Sequence, residues 1–149
     1  LSLHDALPIS ERHFTGDQPD PGQIASAIED IDENIRQAAK TVPITEAKTV
    51  IMVAGTATTV AAAALDLPAY DRYAIHLSRI SAERTHQIST ELLRESREVR
   101  AAHGYMHPGR VDVIGAGSLV LDRIMIATGA REFVASESDI LDGMAWSLV

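Results

Sequence analysis

The run Thr49-Val50-Ile51-Met52-Val53, followed at once by Ala54-Gly55-Thr56-Ala57-Thr58-Thr59 and then by Val60-Ala61-Ala62-Ala63-Ala64-Leu65, constrains the fold more than any other part of the chain. Its first five residues form the short, continuous, β-branched run expected of a strand buried in a covered sheet. Gly55 is expected to end that strand, and the alanine-rich segment from Val60 prefers helix by intrinsic propensity. Strand, tight turn and helix in immediate succession are the unit of an α/β protein. The whole stretch is apolar, but it is shorter than the roughly 20 residues of a membrane-spanning helix and contains Gly and several Thr, so no membrane segment is expected.

The remaining elements are mostly helical. Asp20 as N-cap, Pro21 at the first helical position and Ile24, Ile28, Ile31 and Ile35 at helical spacing predict a helix over 21–39. Its acidic side, with Glu29, Asp30, Asp32 and Glu33, reads as a solvated face. A loop around Pro68, Tyr70 and Asp71 leads to Ile75-His76-Leu77-Ser78-Arg79-Ile80, and Ser81 then caps a helix that runs to about Leu93. Residues 103–109 read as a loop. Residues 110–128 read as one helical segment interrupted by Gly115-Ala116-Gly117. A short strand over 132–136 and a last helix capped by Asp139 complete an α/β chain that is helix-rich with a few strands.

Composition narrows the class further. The 149 residues suit about one domain, and 46% hydrophobic with 23% charged residues is ordinary for a packed protein rather than a disordered one. No cysteine is present, which excludes disulfides, thiolate metal sites and thiol nucleophiles, and fits a cytoplasmic setting. The net charge of −8 leaves no basic surface for a nucleic-acid backbone, so no nucleic-acid partner is expected.

The first nine residues stand apart. Leu1-Ser2-Leu3-His4-Asp5-Ala6-Leu7-Pro8-Ile9 lacks a starting Met and reads as translated sequencing adapter, because ctt tcc cta cac gac gct ctt ccg atc encodes it in order. Residues 1–9 are therefore expected to be an artefact and 10–149 the biological part, with the natural gene extending upstream.

Chemistry has one main candidate seat, the turn carrying Gly55, Thr56 and Thr58. Gly lets a backbone approach an anion, a helix N-terminus offers unpaired N–H groups, and Thr adds hydroxyl donors. The same pattern also arises where Thr merely caps a helix, and it matches neither the Walker A nor the dinucleotide fingerprint. His103 and His107 have metal-ligand spacing only on a helix, which Gly104 and Pro108 disfavour. His76 and His86 read as structural histidines. Ser118 lacks a nucleophile-elbow context. An ion pair or a capping role accounts for Arg110 and Asp112, and Ser136-Glu137-Ser138-Asp139 reads as a capping cluster.

The order of these motifs, from Val53-Ala54-Gly55-Thr56-Ala57-Thr58-Thr59 through Tyr70-Asp71 and Arg110-Val111-Asp112-Val113-Ile114-Gly115-Ala116-Gly117 to Ser136-Glu137-Ser138-Asp139-Ile140-Leu141-Asp142-Gly143, resembles the Ppx/GppA phosphatase family. The resemblance implies part of a ribonuclease H-like lobe of the actin-like ATPase superfamily, corresponding to the latter half of a family member. It implies phosphate or nucleotide binding at Gly55, Thr56 and Thr58, and interlobe or structural roles for Arg110, Asp112, Gly115 and Gly117. It also implies hydrolysis of a terminal phosphoanhydride of polyphosphate or guanosine pentaphosphate with Mg²⁺, in an enzyme able to form a homodimer. The family's catalytic glutamate and Asp-x-Gly-Gly-Gly-Ser loop are expected upstream, so the 149-residue chain is expected to be inactive alone, with no catalytic residue or metal ligand of its own. A nucleotide-binding, kinase-like member of the same superfamily and a non-catalytic binding or dimerisation module are the alternatives.

Overall fold

The computed structural model describes residues 9–148. A helical turn over residues 9–13 precedes α1 (Pro21–Ala39), a 3-10 turn at Ile44–Glu46, β1 (Val50–Val53), α2 (Ala54–Ala64), α3 (Arg72–Ile75), β2 (Arg79–Ser81) and α4 (Ala82–Arg94). Then come α5 (Arg97–Ala102), a 3-10 turn at Pro108–Arg110, α6 (Ile114–Thr128), β3 (Glu132–Ser136) and α7 (Ile140–Trp146). The strands form one sheet in the order β1-β3-β2. β1 pairs parallel with β3, Val50 opposite Phe133 and Val53 opposite Ser136, while β2 pairs antiparallel, Ile80 opposite Phe133.

Local chemistry accounts for several boundaries. Asp20 closes a capping box on α1: its Oδ1 accepts from the Gly22 and Gln23 amides at 2.7 and 3.0 Å, and Gln23 accepts from the Asp20 amide. Ser81 caps α4 by accepting from the Arg84 amide. Gly129, at φ +67°, closes α6 in the left-handed conformation that only glycine adopts without strain.

Helix α6 is the hub. Every residue from Ile114 to Asp122 is buried, because two apolar clusters meet on its opposite sides. The larger cluster joins α6 to the sheet, α2 and α4 through Phe133, Val60, Ile88, Leu92 and Met125. The smaller seats Ala27 and Ile31 of α1, with Ile9, against Ala116, Leu119 and Val120. Asp32 adds a two-point bond to Arg123 of α6 at 2.7 and 2.8 Å. His13 and Arg12 both reach Asp30, and the His13 bond above all holds that carboxyl below the usual carboxylate range. The acidic side of α1 is thus only partly a solvated face: Glu29 and Glu33 are exposed, whereas Asp30 and Asp32 clamp neighbouring elements.

Three expectations are corrected. α2 starts at Ala54, not near Val60, and the chain reverses at Ala54 (φ +66°) rather than at Gly55. Burial of Ala57 through Ala63 overrides the weak helix propensity of the threonines. β1 is an edge strand covered on one face only, so Met52 is buried while Ile51 and Val53 are exposed; β3 is the strand buried on both faces, from Phe133 to Ser136. Gly115-Ala116-Gly117 does not interrupt α6. These small residues lie in its first turn, where a Cβ on Gly115 would sit 3.5 Å from Leu93 and 3.6 Å from the Leu92 carbonyl of α4.

Because Phe133 is fully buried at the centre of the sheet, Phe133→Ala should lower unfolding free energy by about 3–5 kcal/mol in chemical denaturation. Leu141→Ala, on an exposed position of α7, should change it by roughly 0.5 kcal/mol or less.

Candidate functional site

β1 and β3 run parallel and end side by side at Val53 and Ser136. Crevices beyond the carboxyl ends of parallel strands are where open α/β sheets bind ligands. A cavity of about 170 Å³ lies at this point, lined by Ala54, Gly55 and Thr58 of α2, by Tyr70, and by Arg110, Glu137 and Asp139.

Arg110 is set by the 3-10 turn before α6. His107 opens that turn, its Nδ1 accepting from the Gly109 amide at 3.1 Å and its carbonyl from the Arg110 amide at 2.8 Å. The Arg110 guanidinium then lies directly on Gly55: a Cβ there would fall 2.2 Å from Nη2 and 2.3 Å from Cζ. Glycine here serves close approach rather than backbone conformation, since any Cβ would displace the guanidinium. Arg110 Nη1 donates to Thr59 Oγ1 at 3.2 Å, and Thr59 passes its own proton to the Gly55 carbonyl at 2.7 Å. Arg110 Nε is buried without a partner, and among the described residues no carboxylate lies within 4.0 Å of the guanidinium. The guanidinium thus stands beside the first turn of α2 without an ion-pair partner, in a cavity whose lining also carries Glu137 and Asp139.

Opposite the guanidinium, the Tyr70 hydroxyl lies 2.6 Å from Glu137 Oε1 and 2.7 Å from Thr58 Oγ1. Its single proton goes to the carboxylate, the stronger acceptor, so Thr58 is the donor in the second contact. Burial, then the bond to Glu137, pushes the Tyr70 phenol above its ordinary value. The Glu137 amide donates to His76 Nδ1 at 3.2 Å, which fixes the end of β3 against α3. Asp139 accepts from the Leu141 amide at 2.8 Å and caps α7.

The residues singled out in the sequence therefore part company. Gly55 and Arg110 form the cradle, and Thr58 braces it through Tyr70. Thr56 is half-buried in the first turn of α2, outside the cavity lining. Asp112 does not meet Arg110; it pairs with Arg97 at 2.7 Å. Gly115 and Gly117 serve the buried first turn of α6. Thr59, Tyr70 and Glu137 enter the site without having been proposed for it; the signal available was hydroxyl and carboxylate residues flanking the two strand ends. His103 bonds Glu95 at 2.9 Å and stacks on Tyr105, whereas His107 caps the 3-10 turn, so the two do not converge. His86 meets Asp122 at 3.0 Å.

A mixed α/β fold with a crevice holding an arginine on a glycine at the carboxyl ends of two parallel strands is thus the class defined by fold and site. Residues 6–149 match the Ppx/GppA phosphatase family, and the chain belongs to that family. It is 38% identical over 144 residues to exopolyphosphatase 2 of Mycobacterium tuberculosis, covering 94% of this chain and 45% of that protein. The crystal structure of an exopolyphosphatase-like protein superimposes with TM-score 0.90 at 36% identity, covering 96% of this chain and 48% of that one. The Aquifex aeolicus Ppx/GppA family member has the same fold, with TM-score 0.85 at 19% identity over 96% of this chain and 45% of its own. The chain spans about half the length of these relatives. Among the described residues no helix is long and apolar enough to cross a membrane.

Since Tyr70 is raised in the fold, the stability it contributes is fully present below its unfolded value of about 10 and is lost as pH rises through the folded value. Glu137→Gln should move the Tyr70 ionisation back toward about 10 in an alkaline titration followed by tyrosine NMR; an unmoved titration would mean that the Glu137 contact does not govern this phenol.

Proposed function

We propose that this chain supplies the wall of a polyphosphate-hydrolysing cleft that grips a phosphate of the substrate at the Gly55–Arg110 cradle. The observation that carries this is the Arg110 guanidinium, held flat on Gly55 without a carboxylate partner and beside the first turn of α2. A phosphate oxygen in the cavity would accept from the guanidinium in a charge-assisted bond, with the α2 amides and helix dipole adding to the attraction. Tyr70 stays protonated and tied to Glu137, which keeps that carboxylate from facing the incoming phosphate bare.

Polyphosphate is preferred to guanosine pentaphosphate because the relative at 38% identity is named an exopolyphosphatase. Both substrates end in the same phosphoanhydride, and the cradle would engage either. For Mg²⁺, the carboxylates here are a poor fit: Glu137 is engaged by Tyr70, Asp139 caps α7, and among the described residues no three His, Cys, Asp or Glu side chains are grouped to hold a metal. Mg²⁺ therefore enters only as the counter-ion carried by polyphosphate oxygens, and no residue of this chain is assigned to it. Both carboxylates of the cavity are already engaged through one oxygen, Glu137 by the Tyr70 hydroxyl and Asp139 by the Leu141 amide, so we expect binding without turnover, in a protein of the cytoplasm.

Tripolyphosphate titrated into the 149-residue chain should bind, and Arg110→Ala should weaken it by about tenfold or more, with Arg110→Lys intermediate. Gly55→Ala should weaken binding comparably by evicting the guanidinium, while leaving far-UV circular dichroism unchanged. Affinity unaltered by Arg110→Ala overturns the assignment, and competition by adenosine as strong as by tripolyphosphate favours the nucleotide-binding alternative. In a phosphate-release assay with polyphosphate and Mg²⁺, the chain should show no release above the blank; turnover would overturn the inactive reading without touching the binding one.

A further inference from the structure

An arginine side chain presents its N–H donors in one rigid plane, so the rotation of that plane about the side-chain axis decides which donors a ligand can meet. In Arg110 the rotation is set by the protein. Nε is buried without a partner, and Nη1 donates to Thr59 Oγ1 at 3.2 Å. Nη2 has no acceptor among the described residues and, unlike Nε, is not sealed from solvent. The open edge of the guanidinium is therefore its Nη end.

Thr59 is fully buried in the second turn of α2. Its single hydroxyl proton goes to the Gly55 carbonyl at 2.7 Å, one turn back along the helix. Thr58 Oγ1 stands 3.4 Å from the same carbonyl, but its proton goes to the Tyr70 hydroxyl. With its proton committed, the Thr59 oxygen can only accept from Arg110. A closed circuit results: Gly55 carries the guanidinium where a Cβ would fall 2.2–2.3 Å from it, the Gly55 carbonyl orients Thr59, and Thr59 holds Nη1. Thr59 itself does not line the cavity, so whatever it does for a ligand it does through Arg110.

We propose that Thr59 is the positioning residue of the cradle: it locks the Arg110 guanidinium in the rotation that keeps Nε against protein and leaves the Nη end open, so that an oxyanion is met end-on. The consequence for binding rests on the phosphate reading above, whereas the locked rotation does not. Without the Thr59 contact the arginine keeps its charge but has to be ordered when the ligand arrives. Immobilising one such side chain weakens affinity by about two- to tenfold, less than removing the cation altogether.

Thr59→Val keeps the shape of the side chain and removes both of its bonds, whereas Thr59→Ser keeps the hydroxyl. NMR of the Arg110 side chain in the ligand-free 149-residue chain reads the rotation directly, through the contact of the guanidinium protons with the Gly55 Hα and the rate of turning about the Nε–Cζ bond. Thr59→Val should abolish the contact and speed the turning, and Thr59→Ser should recover both; an Arg110 unchanged by Thr59→Val overturns the proposal. In a tripolyphosphate titration Thr59→Val should weaken binding about two- to tenfold, with most of the loss recovered in Thr59→Ser and none of it seen in an Arg110→Ala background. Equal weakening in both backgrounds marks Thr59 as merely structural and overturns the positioning role. If the unsubstituted chain binds no tripolyphosphate, the phosphate reading falls, and the ligand-free NMR result alone decides for or against Thr59.

Discussion

Helix α6 has no solvent face over its first nine residues, and that constraint organises the molecule. Ile114 through Asp122 are buried between the sheet cluster on one side and α1 on the other. A helix that is apolar all round must be enclosed, so the elements around it are placed by what α6 requires. Small residues in its first turn let α4 come close, and Arg123 reaches the Asp32 clamp. The chain entering this helix is fixed as a consequence, and Arg110 stands on that entry. The guanidinium rests on Gly55 because the packing of α6 fixes where its lead-in turn begins.

The same logic separates two electrostatic environments along α2. At its N-terminal end, Arg110 adjoins helix amides with no carboxylate in ion-pair reach among the described residues, although Glu137 and Asp139 line the same cavity; at its C-terminal end, Arg84 and His103 are each paired, with Asp66 and Glu95. Overall charge hides this division. A net −8 says little about whether a protein can hold a polyanion, since a local donor set is decided by the nearest few groups and distant charges are screened beyond about 8–10 Å at ordinary ionic strength.

Elements whose ends are signalled locally were legible from sequence: α1 by Asp20 and Pro21, α4 by Ser81, and β3 by its short apolar run after Gly129. Elements fixed by distant partners were not. β2 is a three-residue strand held by pairing with β3, and no local pattern marks it. α2 begins inside a Thr-rich stretch because tertiary burial outweighs propensity there. At the site, Gly55 was legible as a special position, but the physical reason differed. The space a side chain would fill is taken by a guanidinium from a residue far along the chain, and only the fold brings Arg110, Tyr70 and Glu137 to one place. Family resemblance supplied the class that spacing alone left open.

The most direct measurement is a crystal structure of the chain with tripolyphosphate. A phosphate oxygen within about 3 Å of the Arg110 guanidinium above Gly55, with Thr59 and Tyr70 unmoved, is the predicted result. Tripolyphosphate ordered elsewhere, with the guanidinium still bonded only to Thr59, would contradict the account.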